Sequence, residues 1–64
     1  MIGKQVRTIR VRLGLTQQEL AARVGVQRNT VTRWELGLMG VRESAAILLK
    51  KLAIEAKEGN NGKN

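Results

Sequence analysis

The segment Thr16 to Glu35, TQQELAARVGVQRNTVTRWE, constrains this chain most, because it packs the start and stop signals of two short helices into twenty residues. Thr16-Gln17-Gln18-Glu19 has the pattern of a capping box, in which the Thr16 hydroxyl and the Glu19 carboxylate each take up a free backbone N–H. Leu15 and Leu20 stand at the hydrophobic-staple positions on either side, so the direction of approach is specified together with the start. Gly25 falls where a helix needs a residue at positive φ to end, and Val26 supplies an apolar plug for the turn. A second helix is predicted from about Arg28 to Glu35, with Gly37 as its stop.

The side chains of that second helix are sorted by face. At an advance of about 100° per residue, Val31 and Trp34 share one side, Asn29, Thr32, Arg33 and Leu36 cluster opposite, and Arg28 lies at the margin. One edge is suited to burial and the other is nearly all polar, which is the layout of a helix that reads DNA. Trp34 is the only aromatic residue, and its register with Val31 marks it as a core anchor rather than a ring for base stacking. With no Phe or Tyr elsewhere, a platform for single-stranded nucleic acid is disfavoured. Thr30 and Ala21 are both small, and are expected to let the two helices approach closely.

Around this unit the periodicity predicts two further helices. The first runs from about Gly3 to Leu13, with Val6, Ile9 and Leu13 as its buried stripe and Gly14 as its stop. Arg10 lies beside that stripe, and a guanidinium close to a core must find an acceptor. Glu35, at the edge of the buried face of the later helix, is the proposed partner; the alternative leaves Arg10 to reach a phosphate, and its donors suffice for both roles. After a loop from Leu38 to Arg42, one long helix is predicted from Glu43 or Ser44 to Lys57, because Ala53 and its neighbours contain no breaker. Its core stripe is read as Ala45, Leu48, Leu49, Leu52 and Ala56. Ile47 and Ile54 fall on the other side; isolated exposed apolar residues need no explanation, yet this pair is the best candidate for a dimer contact. The chain thus divides into a domain over 1–58 and a polar, glycine-rich tail over 59–64, expected to be mobile.

Composition narrows the function classes. Sixty-four residues allow one domain with a marginal core and no deep catalytic cleft. Without Cys or His there are no disulfides and none of the usual zinc ligand sets, so no metal or cofactor is expected. With Glu19 and Glu35 assigned structural work, no nucleophile and base can be assembled, and the chain is not expected to be an enzyme. No apolar run reaches membrane-spanning length and Met1-Ile2-Gly3-Lys4 lacks the apolar region of a secretory signal, so a cytoplasmic location is expected, with no membrane partner. Twelve Lys and Arg against five acidic residues give a net charge of +7, which attracts polyanions but on its own also fits a charge that merely prevents association. Placement favours nucleic acid: Arg28 and Arg33 fall on the second helix of the unit, and Lys4, Arg7, Arg10 and Arg12 on the helix before it.

Leu13-Gly14-Leu15-Thr16-Gln17, Glu19-Leu20-Ala21, Gly25-Val26, Thr30-Val31, Arg33-Trp34-Glu35 and Gly37 together resemble the helix-turn-helix family of phage repressor and Cro proteins, over roughly the first two thirds of the chain. The resemblance implies an all-α, compact fold of four helices, or five where relatives break the last helix in two. It implies a transcriptional regulator, most simply a repressor, whose third helix enters the major groove of double-stranded DNA. Arg28, Asn29 and Arg33 match the family's reading positions, and their types suit guanine (Arg) and adenine (Asn); Gln27 and Thr32 add polar or methyl contacts. Phosphate contacts are expected from Gln17, Arg10 and Arg42. The Arg10 and Glu35 pairing is implied as well, as is a homodimer on a two-fold symmetric site. Gln27 departs from the Ser or Thr that often caps this helix in relatives, and so a looser first turn is expected. The alternative is an antitoxin-like or regulatory module that captures a protein partner.

Overall fold

The computed structural model describes the backbone of residues 1–62 and the side chains of residues 1–56. Among these the chain is all-helical: α1 (Gly3–Arg12), α2 (Gln17–Val24), α3 (Arg28–Glu35) and α4 (Glu43–Gly62). The starts and stops follow local chemistry. Thr16 Oγ1 accepts from the Glu19 N–H at 3.1 Å while the Glu19 carboxylate accepts from the Thr16 N–H at 2.8 Å, closing the capping box of α2. Gly25 ends α2 at φ 84°, a left-handed conformation that costs glycine nothing. α1 starts differently: the Gln5 side-chain oxygen accepts from the Ile2 N–H at 2.9 Å, which satisfies one donor at a terminus with no Ser or Asp to cap it.

The region after Gly37 forms one continuous helix, in agreement with the absence of a breaker near Ala53. It continues to Gly62, past Lys57 and into the segment read as a tail; the side chains of that segment and the backbone of its last two residues lie outside the described residues. Of the predicted core stripe on α4, Ala45, Leu49, Leu52 and Ala56 are buried, but Leu48 is 40% exposed. The reason is geometric. The four buried positions repeat every three to four residues in a narrow band, and α1 and α2, which pack against α4, cover no more than that band.

One core joins all four helices. Val6 and Ile9 from α1, Leu20, Ala21 and Val24 from α2, Val31 and Trp34 from α3, and Ala45, Leu49 and Leu52 from α4 make up its buried cluster. Leu13 and Leu15 are half-buried at its edge, together with Val26 in the turn and Met39 and Val41 in the loop before α4. Thr30 is half-buried beside Val26, Trp34 and Met39, facing the loop before α4.

Gly3 has a role that no local pattern announces. A Cβ at this position would overlap the carbonyl oxygen of Trp34 and stand 3.1 Å from Glu35 Cα, so the first turn of α1 sits directly on the last turn of α3. Only glycine permits that approach, and it fixes where α1 begins relative to the end of α3. Gly3→Ala is therefore expected to lower stability by about 1–3 kcal/mol, the usual cost of forcing atoms into a filled space. In so small a domain that corresponds to a drop of roughly 5–20 °C in Tm. Gly40→Ala, at a site with nothing within 4 Å of the added carbon, should stay within about 0.5 kcal/mol of the parent. Thermal unfolding followed by circular dichroism tests both, and equal Tm values for the two variants would contradict the close approach.

Candidate nucleic-acid interface

The turn between α2 and α3 sets the two helices so that α3 buries Val31 and Trp34 and leaves Arg28, Asn29 and Arg33 exposed. Gln27 stands at the N-cap of α3 with extended backbone and no side-chain hydrogen bond to the helix, consistent with its amide being a weaker cap than a hydroxyl or carboxylate. The first turn of α3 carries no acidic residue, so its free N–H groups and the adjacent Arg28 present an uncompensated positive end.

Behind this face a hydrogen-bonded chain of side chains ties three helices together. Arg10 Nε donates to Glu35 Oε2 at 2.7 Å and Arg10 Nη2 donates to Glu35 Oε1 at 3.1 Å, a two-pronged ion pair between α1 and the end of α3. Arg10 Nη1 also donates to the Leu15 carbonyl at 3.1 Å, in the loop that leads into α2. Gln17 Nε2 donates to Glu35 Oε1 at 3.1 Å, and Gln17 Oε1 accepts from the Thr32 hydroxyl at 2.9 Å. The Thr32 hydroxyl lies 3.2 Å from the Arg28 carbonyl as well, so its single proton is shared between two acceptors. The side chains of Arg10 and Glu35 are only 17% and 7% exposed, so the pair is shielded from water and salt far better than a surface pair.

These bonds set the charge states. Partial burial pushes the Glu35 carboxyl upward, but the bonds from Arg10 and Gln17 and the charges of Arg10 and Arg7 outweigh it and hold the group below its ordinary range. Its hydrogen bond to Glu35 raises Arg10 in turn. Glu19 is also lowered, by the backbone N–H and the hydroxyl of Thr16.

The residues singled out from the sequence sort into three places. Arg10, Gln17 and Arg28 meet at one open recess with Thr16 and Gln18, where the start of α2 comes beside the start of α3. Asn29 and Arg33 lie along the exposed side of α3, with the half-buried Thr32 between them and Gln17. Arg42 stands apart, exposed at the loop before α4, next to Thr30 and Met39. Sequence reasoning missed that Gln17 and Thr32 bond to each other and that Arg10 holds the Leu15 carbonyl, since both contacts depend on helix placement and leave no signature in spacing. Among the described residues there is no cluster of His, Cys, Asp or Glu fit to hold a metal ion, and no helix long and apolar enough to cross a membrane.

Comparison with known proteins places residues 6–54 within a family model described as Helix-turn-helix. No curated protein and no solved structure matches the chain.

The lowered carboxylates give a test of the side-chain chain. In the unfolded protein Glu35 returns to about 4.3, so the stability it contributes is complete above that pH and is lost as pH falls through the folded-state value. Glu35→Gln keeps the shape but removes the charge and leaves Arg10 without its counter-ion. At pH 7 it should be less stable than the parent by about 1.5–3 kcal/mol, the range for hydrogen bonds to charged groups. The gap should narrow at pH 3. Urea unfolding at both pH values measures it, and a gap that is the same at the two would contradict the assignment.

Proposed function

This chain belongs to the helix-turn-helix family of repressor- and Cro-like DNA-binding regulators, and from that premise we propose that it represses transcription by reading a two-fold symmetric operator through the exposed side of α3. The observation that carries this reading is the division of α3 itself. Val31 and Trp34 are buried, while Arg28, Asn29 and Arg33 are exposed on a helix whose start is free of acidic residues. Arg offers a fork for the two acceptors on guanine, and Asn both donates to and accepts from adenine, so these three residues are assigned to base reading. Gln27, beside them at the N-cap, adds a polar contact at the first base step.

Gln17 and Arg42 are assigned to phosphates, Gln17 through the one N–H of its amide left over by Glu35. Arg10 uses three of its donor atoms within the protein and has two N–H groups to spare for the same backbone. Thr32 presents its methyl and an oxygen lone pair, because its proton is committed to Gln17 and to the Arg28 carbonyl.

A single domain of this size spans only a few base pairs, so two copies with centres about 34 Å apart are needed for useful selectivity. Ile47 and Ile54, both exposed on α4, are assigned to the contact between them. The pair is small, and a net charge of +7 on each copy opposes association until DNA neutralises it.

Selection of bound sequences from a random duplex pool tests the whole reading, with enriched half-sites about one helical turn apart as the expected result. With roughly six phosphates neutralised, the logarithm of affinity should fall against the logarithm of salt with a slope near 5. Arg33→Ala should relax base choice at one position of each half-site, whereas Arg42→Ala, which removes one phosphate contact per half-site, should weaken binding to all sequences alike and lower the salt slope by about 2. Sedimentation equilibrium should find monomers in free solution and dimers on the operator; a tight dimer without DNA would overturn the assembly proposed.

A further inference from the structure

Leu36 is the one large apolar side chain on the otherwise polar side of α3. It lies within about 20° of Asn29 around the helix axis, with Thr32 and Arg33 about 40° and 60° away. Its N–H donates to the Thr32 carbonyl at 3.0 Å and its backbone stays in the right-handed region, so the side chain follows the helical path of the residues before it. It is 67% exposed, and nothing among the described residues covers it.

Leu38, two residues on, is also exposed, but for a different reason. The Gly37 N–H bonds to the Trp34 carbonyl and the Leu38 N–H to the Arg33 carbonyl, the bonding pattern of a Schellman turn. In such a turn the residue after the glycine normally packs on the residue whose carbonyl it bonds; here that residue is the exposed Arg33, so Leu38 gains no apolar contact from it and is 73% exposed. Leu38 has thus left the helical path, and Leu36 has not.

We infer that Leu36 selects a thymine in the operator by packing on its 5-methyl group. The inference rests on the major-groove reading of α3 given above. Leu36 lies three positions beyond Arg33, a rise of about 4.5 Å along the helix, comparable with the step of roughly 3.4 Å between successive bases. With α3 lying along the groove, Leu36 comes beside the base step next to the one that Arg33 addresses. The only group in the major groove that rewards a purely apolar side chain is the thymine methyl. Leu36 supplies the apolar half of the recognition code, beside the hydrogen-bonding half carried by Arg28, Asn29 and Arg33.

The test uses the operator obtained by pool selection and replaces its thymines one at a time by deoxyuridine, which removes the methyl and leaves every hydrogen-bonding group in place. For the parent protein, one such replacement per half-site, next to the position relaxed by Arg33→Ala, should weaken binding about fourfold, as expected for losing the burial of one methyl-sized group. Leu36→Ala, which removes the contact from both half-sites of the dimer, should bind the thymine operator about 16-fold more weakly than the parent and should be indifferent to that replacement, while Leu38→Ala keeps the parent's response. Circular dichroism confirms that both exposed-site variants are folded. A selected operator with no preferred thymine next to the Arg33 position, or a thymine-to-uracil loss that is equal for the parent and Leu36→Ala, overturns the role of Leu36 alone. Failure of the parent to bind any duplex at low salt overturns the DNA-reading premise beneath it.

Discussion

The hydrogen-bonded pair of Arg10 and Glu35 is the constraint on which the rest of this structure depends. Apolar burial has no direction, so in a core this small it does not by itself single out one register between the helices. A guanidinium gripping a carboxylate at two points does have direction. It sets the end of α3 against α1, while the third prong of Arg10 on the Leu15 carbonyl holds the loop from which α2 departs. Gln17 then bonds to the same carboxylate, so a single anionic group organises residues from three helices. Burial at the edge of the core matters here: water and salt reach the pair poorly, and the two-pronged bond together with Gln17 offsets the cost of withdrawing both charges from water.

Gly3 complements this arrangement by steric means. The ion pair draws α1 and α3 together, and the missing Cβ at Gly3 lets their backbones meet at the end of α3. Attraction at Arg10 and the absence of obstruction two turns earlier define the crossing of the two helices more closely than either alone. The consequence for function is a stiff frame behind Arg28, Asn29 and Arg33, whose exposed side chains are held by a helix that the interior cannot easily rotate.

Those parts of the fold that rest on short-range chemistry were legible in the sequence. The capping box at Thr16, the glycine stop at Gly25, the limits of α3 and the burial of Trp34 all follow from residues within one turn of each other, and the unbroken α4 follows from its lack of a breaker. The Arg10 and Glu35 pair was legible because a charge beside a core stripe demands a partner and Glu35 stands at the edge of the buried face of α3, a pairing the family resemblance also implies. What could not be read depends on distances between elements. Leu48 has the right period for the core and still faces outward, because the width of the buried band on α4 is decided by how far α1 and α2 extend over it. The Gln17 and Thr32 bond is likewise invisible, since two polar residues fifteen apart carry no mark of having been brought together.

The placement of Trp34 has one more consequence. The chain contains no tyrosine and no second tryptophan, so under ultraviolet excitation all of its emission comes from one indole, enclosed by the interior and turned away from the exposed side of α3. That ring is an intrinsic optical reporter of whether the interior is intact, and a duplex laid along α3 would leave it shielded from direct quenching. Its emission therefore follows folding in an unlabelled sample without responding directly to a duplex on α3.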